Sequence, residues 1–227
     1  MVGTGKIAGR LPTPINSAKD RFWTDSTGSK IILVQNNKTL WYIELNGIDR
    51  TLSKPLVSYP FITIPTGVTN FHIFWTPEDK GFQLPLVWLE VYESGKKNSY
   101  LYKLASSSEQ NNSYFQQLTL PPYVHSPKLS PDGKALAFID EKALHIYDIF
   151  TWKQNAFFAN EKVVSYQWID KKALYVGGTE TISYWEPYTD KFIVLLLSQS
   201  NKYAFDGETG KILAENSHGV FAYNEEN

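Results

Sequence analysis

Residues 127–153, PKLSPDGKALAFIDEKALHIYDIFTWK, leave the backbone few choices. Pro131 presets φ at one turn position and Asp132-Gly133 supplies a residue that tolerates positive φ, so Ser130-Pro131-Asp132-Gly133 reads as a tight turn. Lys134 to Asp140 then reads as a strand, Glu141-Lys142 as a second turn, and Ala143 to Ile149 as the next strand, with Asp148 near its end. Ala135, Ala137 and Ile139 fall on one face, Leu136 and Phe138 on the other. Both faces are apolar, as in a strand buried between two layers. A helix here would carry Pro131 and Gly133 in its first turn and would then have to pass Asp140-Glu141-Lys142. Strands of about five residues between turns fit better.

The same order of large apolar residue, polar turn and two strands recurs along the chain. Trp23 precedes Gly28-Ser29-Lys30, strands at Ile31 to Gln35 and Thr39 to Leu45, and the turn Asn36 to Lys38 between them. Trp75 precedes Leu84 to Tyr92, a turn at Ser94 to Lys97, and Ser99 to Leu104. Trp168 precedes Ala173 to Val176, a turn at Gly177 to Thr179, and Thr181 to Trp185. Leu129 opens the unit described above, and a shorter unit runs from Lys202 to Tyr223. Anchors at 23, 75, 129 and 168 lie 52, 54 and 39 residues apart, close to the roughly 40 to 50 residues of one propeller blade. The expectation is an all-β fold, a β-propeller of about five four-stranded blades, partial or irregular, over residues 20–227.

Residues 1–19 read as a flexible leader or cloning remnant, with Gly3, Gly5, Gly9, Pro12 and Pro14 and no periodicity. They lack the apolar stretch of a signal peptide. Gly3-Thr4-Gly5-Lys6 fails as a phosphate loop, because no strand precedes it and Ile7 stands where Ser or Thr is needed.

Composition narrows the function classes. Aromatics make up 15% of the 227 residues, which suits pleated, half-buried surfaces. A net charge of −1 gives no electrostatic case for nucleic acid or an anionic membrane. With no Cys, a disulfide, a thiol nucleophile and a thiolate metal site are excluded; the same absence fits an exported protein, and chance equally. No apolar run approaches the roughly 20 residues of a membrane span.

Leu129 to Phe138, LSPDGKALAF, followed by a strand ending in Tyr147-Asp148, resembles the repeats of TolB-like and WD40-like β-propellers. Ala204 to Leu213, AFDGETGKIL, resembles the turn of quinoprotein-type propeller repeats. The resemblance covers most of Arg21 to Tyr223, with one close copy; the Trp-Asp dipeptide and its upstream Gly-His pair are absent. It implies the propeller architecture and no one family's activity.

No catalytic set emerges. His72, His125, His145 and His218 show no metal-site spacing; His72 and His125 fall on innermost strands, and a buried, hydrogen-bonded imidazole is the leading reading for both. No Gly-x-Ser-x-Gly elbow occurs. Asp132, Asp148, Asp170 and Asp206 sit at turns, where they cap backbone N–H groups. Glu90 and Glu93, beside Tyr92, form the one carboxylate pair with a glycosidase flavour. Asn37-Lys38-Thr39 and Asn111-Asn112-Ser113 match the glycosylation sequon, a pattern common by chance. No cofactor and no metal site are expected.

Two stretches break the repeat: Pro55 to Thr69, and Ala105 to Tyr123. Both read as long links from one blade to the next, on the face where the propeller resemblance places ligands. With the turns 36–38, 94–98, 140–142 and 177–180 they form one expected working surface. The candidate partner-binding residues are Tyr59, Phe61, Lys96, Lys97, Tyr114, Tyr123 and Lys142, an aromatic centre with a charged rim. A second reading has Tyr59, Phe61 and Tyr123 simply tucked into blade interfaces. The opposite face, with Asp25, Asp79, Asp132 and Asp170, should be inert. Trp75 and Trp168 should be buried between blades. The function expected is a non-enzymatic binding module for a protein or glycan partner, outside the cytoplasm. The rival is the recognition domain of a larger peptidase or polysaccharide-active hydrolase.

Overall fold

In the first four repeats the second strand is apolar on both faces and the strands beside it are more polar, a pattern that only a central strand tolerates. A computed structural model of the chain shows this arrangement. It describes residues 20–36, 39–44, 57–77, 85–106, 113–189, 191–197, 202–206, 211–216 and 219–223, with side chains for most of them. The leader expected at 1–19 lies outside the described residues.

The first sheet is β1 (Arg21–Thr24), β2 (Lys30–Gln35), β3 (Thr39–Glu44) and β4 (Val57–Thr63). The second is β5 (Val68–Trp75), β6 (Pro85–Glu93), β7 (Lys96–Ser106) and β8 (Ser113–Leu118). The third is β9 (His125–Leu129), β10 (Ala135–Ile139), β11 (Leu144–Asp148) and β12 (Gln154–Phe158). The fourth is β13 (Val163–Trp168), β14 (Leu174–Gly178), β15 (Thr181–Glu186) and β16 (Lys191–Leu197). The fifth has three strands, β17 (Lys202–Asp206), β18 (Lys211–Asn216) and β19 (Gly219–Tyr223). In every sheet the strand order is the chain order. No helix occurs among the described residues, and no sheet closes on itself.

The anchors sit where the repeat places them. Trp75, Leu129 and Trp168 end β5, β9 and β13, and Trp23 stands one residue before the end of β1. The second strands β10 and β14 are buried along their whole length, and β6 from Pro85 to Val91. Two of the turns after the anchors are copies of one another. Gly133 N–H donates to Ser130 O and Gly28 N–H to Asp25 O; Ala135 N–H donates to Ser130 Oγ and Lys30 N–H to Asp25 Oδ1. The glycines have φ of 69° and 70°, the left-handed region that a side chain disfavours. Asp132, Asp148 and Asp170 each accept backbone N–H bonds, as turn residues do.

The chain divides into two compact units: Met1–Val91 with Leu101–Gln117, and Tyr92–Tyr100 with Leu118–Asn227. In the first, Trp23 meets Phe71 at 6.3 Å between ring centroids. In the second, the third and fourth sheets share one apolar cluster, with Ala137, Ile139, Leu144 and Phe158 against Tyr166, Trp168, Val176 and Trp185. Polar groups clamp the same pair of sheets. The Tyr166 hydroxyl lies 2.6 Å from Ser126 O and 2.7 Å from Ala137 O, and burial raises its pKa well above the usual phenol. Lys128 Nζ donates to Tyr166 O and Gln167 Oε1, both at 2.7 Å, and burial lowers its pKa. Tyr175, Ile182, Ile212 and Ala214 pack the fourth sheet against the fifth.

Four expectations need correction. The stretches read as long links, 55–69 and 105–123, contain the fourth strands β4 and β8. Pro60 lies on the sheet edge opposite Trp41, beside a register shift, where a missing N–H does no harm. β8 is an edge strand with exposed Gln116 and Gln117, so its polar residues hide the period. Gly177-Gly178 belongs to β14 and not to a turn. Trp75 is only half-buried, as is most of β5, an edge strand, whereas Trp168 is 4% exposed.

Candidate functional site

A type I′ hairpin needs positive φ at both central residues, which Ser-Gly can supply. Ser94 and Gly95, at φ 50° and 80°, join β6 to β7 in this way, so Lys96 and Lys97 begin a strand rather than end a turn. Lys96 Nζ donates to the Tyr123 hydroxyl at 3.0 Å and lies 4.4 Å from the ring centroid. That hydrogen bond, with a smaller contribution from Glu141, raises the Lys96 pKa. Ser99 Oγ donates to Val124 O at 2.6 Å, stitching the β6–β7 hairpin to the link before β9.

From Tyr123 the same edge of the second unit continues through successive turns. The β10–β11 turn is closed by Asp140, whose Oδ1 accepts Lys142 N–H and Ala143 N–H, both at 2.7 Å. Lys142 O accepts Val163 N–H from the start of β13, and Lys162 O, in the link just before β13, accepts Thr179 N–H from the β14–β15 turn, both at 3.1 Å. The Glu161 carboxylate accepts Glu180 N–H at 2.6 Å, Thr181 N–H, and the Thr181 hydroxyl. Tyr203, at the start of β17, donates to Gly178 O at 2.9 Å. The turns between second and third strands and the links between sheets therefore share one edge in this unit.

Gly177 and Gly178 explain how the edge closes. A Cβ on Gly177 would overlap the Tyr203 ring, and one on Gly178 would overlap the Glu161 carboxylate. The two glycines make room for those side chains, which is a known use of Gly inside a strand.

Of the sequence candidates, the structure brings Lys96, Tyr123 and the turn bearing exposed Lys142 to one edge, with exposed Lys97 on the same hairpin. Tyr59 and Phe61 occupy positions on β4 and Tyr114 on β8; their side chains lie outside the described residues. Glu161, Glu180 and Tyr203 were not legible beforehand; the Gly-Gly pair was the signal for two of them.

The edge expected to be inert is not featureless. Phe150 and Tyr188 are 43% and 50% exposed there, Trp152 packs on Tyr147 at 5.0 Å, and Asp132 and Asp148 lie within electrostatic reach of Tyr188. Asp79 lies outside the described residues.

The histidines divide. His145, 6% exposed, is 2.8 Å from Asp140 Oδ2 and stacks on Phe138. His125 Nδ1 is 2.9 Å from Ser126 Oγ, and His218 lies outside the described residues. His72 Nε2 is 3.6 Å from Glu90 Oε1, and Asn70 Nδ2 donates to Glu90 Oε2 at 2.9 Å. Glu93, three positions along the same strand, faces the other side, where Asn98 and Tyr100 donate to it. The two glutamates do not converge on one bond. Among the described residues no group of three or more His, Asp or Glu side chains is arranged to hold a metal.

No protein-family model matches the chain, and no curated protein matches it. Among solved structures it is similar to a functionally unknown protein from Desulfotomaculum acetoxidans, at 14% identity and TM-score 0.45, over 89% of this chain and 64% of that one. It is similar to the extracellular domain of a protein described as a one-component system from B. thetaiotaomicron, at 11% and 0.47, over 89% and 26%. It is also similar to Sqt1 from Chaetomium thermophilum, at 15% and 0.50, over 87% and 53%. The chain spans less than two thirds of each of these chains. At such identities the likeness concerns the fold alone, a multi-sheet all-β one.

Proposed function

We propose that this chain is a β-propeller of about five blades that acts as a binding module for a protein or glycan partner, outside the cytoplasm, through the edge carrying Lys96, Tyr123, Lys142 and Glu161. The propeller reading is supported by sheets that are each a chain-order meander and by the face-to-face packing of the third, fourth and fifth. The binding reading is carried by one observation: turns from successive sheets are hydrogen-bonded into a single rim. Such a rim presents lysines, carboxylates and a tyrosine from separate segments on rigid strands, which suits recognition better than turnover.

The test is a screen of the intact chain against glycan and peptide arrays. Lys97→Glu and Lys142→Glu alter exposed side chains whose backbones alone serve the fold, so both should abolish a true hit while leaving the melting temperature unchanged. Hits indifferent to both reversals would reject the rim as the site. Hydrolysis of an arrayed ligand that disappears in Glu90→Gln would replace the binding module by an enzyme.

A further inference from the structure

Lys128 stands on β9, the first strand of the third sheet, and reaches across to β13 of the fourth. Its Nζ donates to Tyr166 O and Gln167 Oε1 and lies 5.2 Å from the Tyr166 ring centroid. Both acceptors are neutral. An ammonium has three N–H donors, and the third meets no oxygen among the described residues. The strands around it, β9 HSPKL, β10 ALAFI, β13 VVSYQW and β14 LYVGG, contain no Asp or Glu. Burial lowers the Lys128 pKa, and no carboxylate offsets it. A half-buried cation without a counter-charge costs free energy that an anion recovers.

The neighbouring strand carries a second unmet donor. Ser165 Oγ is buried and has no hydrogen-bond partner among the described residues. Ser165 and Gln167 are two positions apart in regular register with β14, so both project to one face of β13. Lys128 and Gln167 each keep part of their surface exposed, so a small ligand can reach the ammonium.

We propose that Lys128 and Ser165 form a binding site for a small organic acid carrying one carboxylate. The carboxylate accepts the third N–H of Lys128 and the Ser165 hydroxyl, while Gln167 holds the ammonium in place. One lysine balances one negative charge, which favours a carboxylate over a doubly charged phosphate. The site uses none of the rim residues, and the inference stands whether or not the rim binds a partner.

Acetate is the probe, titrated into the intact chain against sodium chloride at equal ionic strength. The amide resonances of Ser165 and Gln167 should shift saturably in two-dimensional NMR. At ten times the dissociation constant the melting temperature should rise by roughly 3–6 °C. Lys128→Met keeps the apolar stem and should lose both responses, and Ser165→Ala should weaken binding about fivefold. Gln167→Glu places an acid where Oε1 now accepts from Nζ. It should melt no lower than wild type and lose the acetate response, which keeps the test decisive if Lys128→Met folds poorly. Equal responses to acetate and chloride, acetate binding that survives Lys128→Met or Gln167→Glu, binding that Ser165→Ala leaves unchanged, or tighter binding of inorganic phosphate would each overturn the proposal.

Discussion

Replacing Trp168 by Ala tests whether the third and fourth sheets are held together as described. Trp168 is 4% exposed and belongs to the cluster shared by the two sheets. Its indole N–H points at Lys128 O at 3.4 Å, a long bond that contributes little. A tryptophan buries on the order of 200 Å², worth about 5 kcal/mol at 25 cal/mol per Å². A denatured chain already part-compact lowers that figure, and the unfilled cavity raises it, which leaves roughly 3–5 kcal/mol. In a chain of this length that corresponds to a fall in melting temperature of very roughly 6–20 °C. Urea denaturation followed by circular dichroism measures the free energy, and calorimetry the midpoint. Trp75→Ala, at a half-buried site, serves as the internal control and should cost clearly less. A loss below about 1 kcal/mol at Trp168 would mean that the two sheets do not share this core, and the repeat alignment would fall with it.

The glycines separate two mechanisms: Gly178→Ala should cost more than Gly95→Ala, because its Cβ would push the Glu161 carboxylate off Glu180 N–H, Thr181 N–H and the Thr181 hydroxyl, whereas nothing lies within 4 Å of Gly95. Gly95→Ala should lose about 1 kcal/mol for its positive φ alone, and equal losses in a urea titration would show that the Glu161 contact is not made. Asp140 supplies a pH dependence: burial raises its pKa, but hydrogen bonds from Lys142 N–H, His145 and Ala143 N–H outweigh burial and hold it below the usual aspartate. A depressed carboxyl stabilises the fold above its unfolded value, about 4, and that contribution is lost as pH falls through the folded value. The stability gap between wild type and Asp140→Asn should therefore be full at pH 7 and narrow at pH 2–3; a gap that widens on acidification would refute the assignment.

How much was legible beforehand depended on which physical signal each segment carried. Turn chemistry and two-sided apolar runs are local properties of the chain. Ser130-Pro131-Asp132-Gly133 has one comfortable backbone path, and a run such as Ala135 to Ile139 has to be covered on both faces, so the central strands, the anchors and the five-fold repetition could be read directly. Edge strands carry no such mark. β4 holds Pro60 and β8 is polar, because an edge needs neither a full ladder of N–H donors nor two apolar faces; both had looked like loops. Gly177-Gly178 reads as a turn from sequence alone, because glycine signals a turn and a close approach alike. Only the packed sheets show that Tyr203 and Glu161 fill the space the two glycines leave open. The candidate surface divides along that line. Lys96, Lys97, Tyr123 and Lys142 were chosen for residue type and for their place in the repeat. That Lys96 meets Tyr123, and that Glu161 ties the next turn to the same edge, depends on atoms from separate sheets brought within hydrogen-bond distance. Such a juxtaposition is created by the fold and is written in no single stretch of the chain.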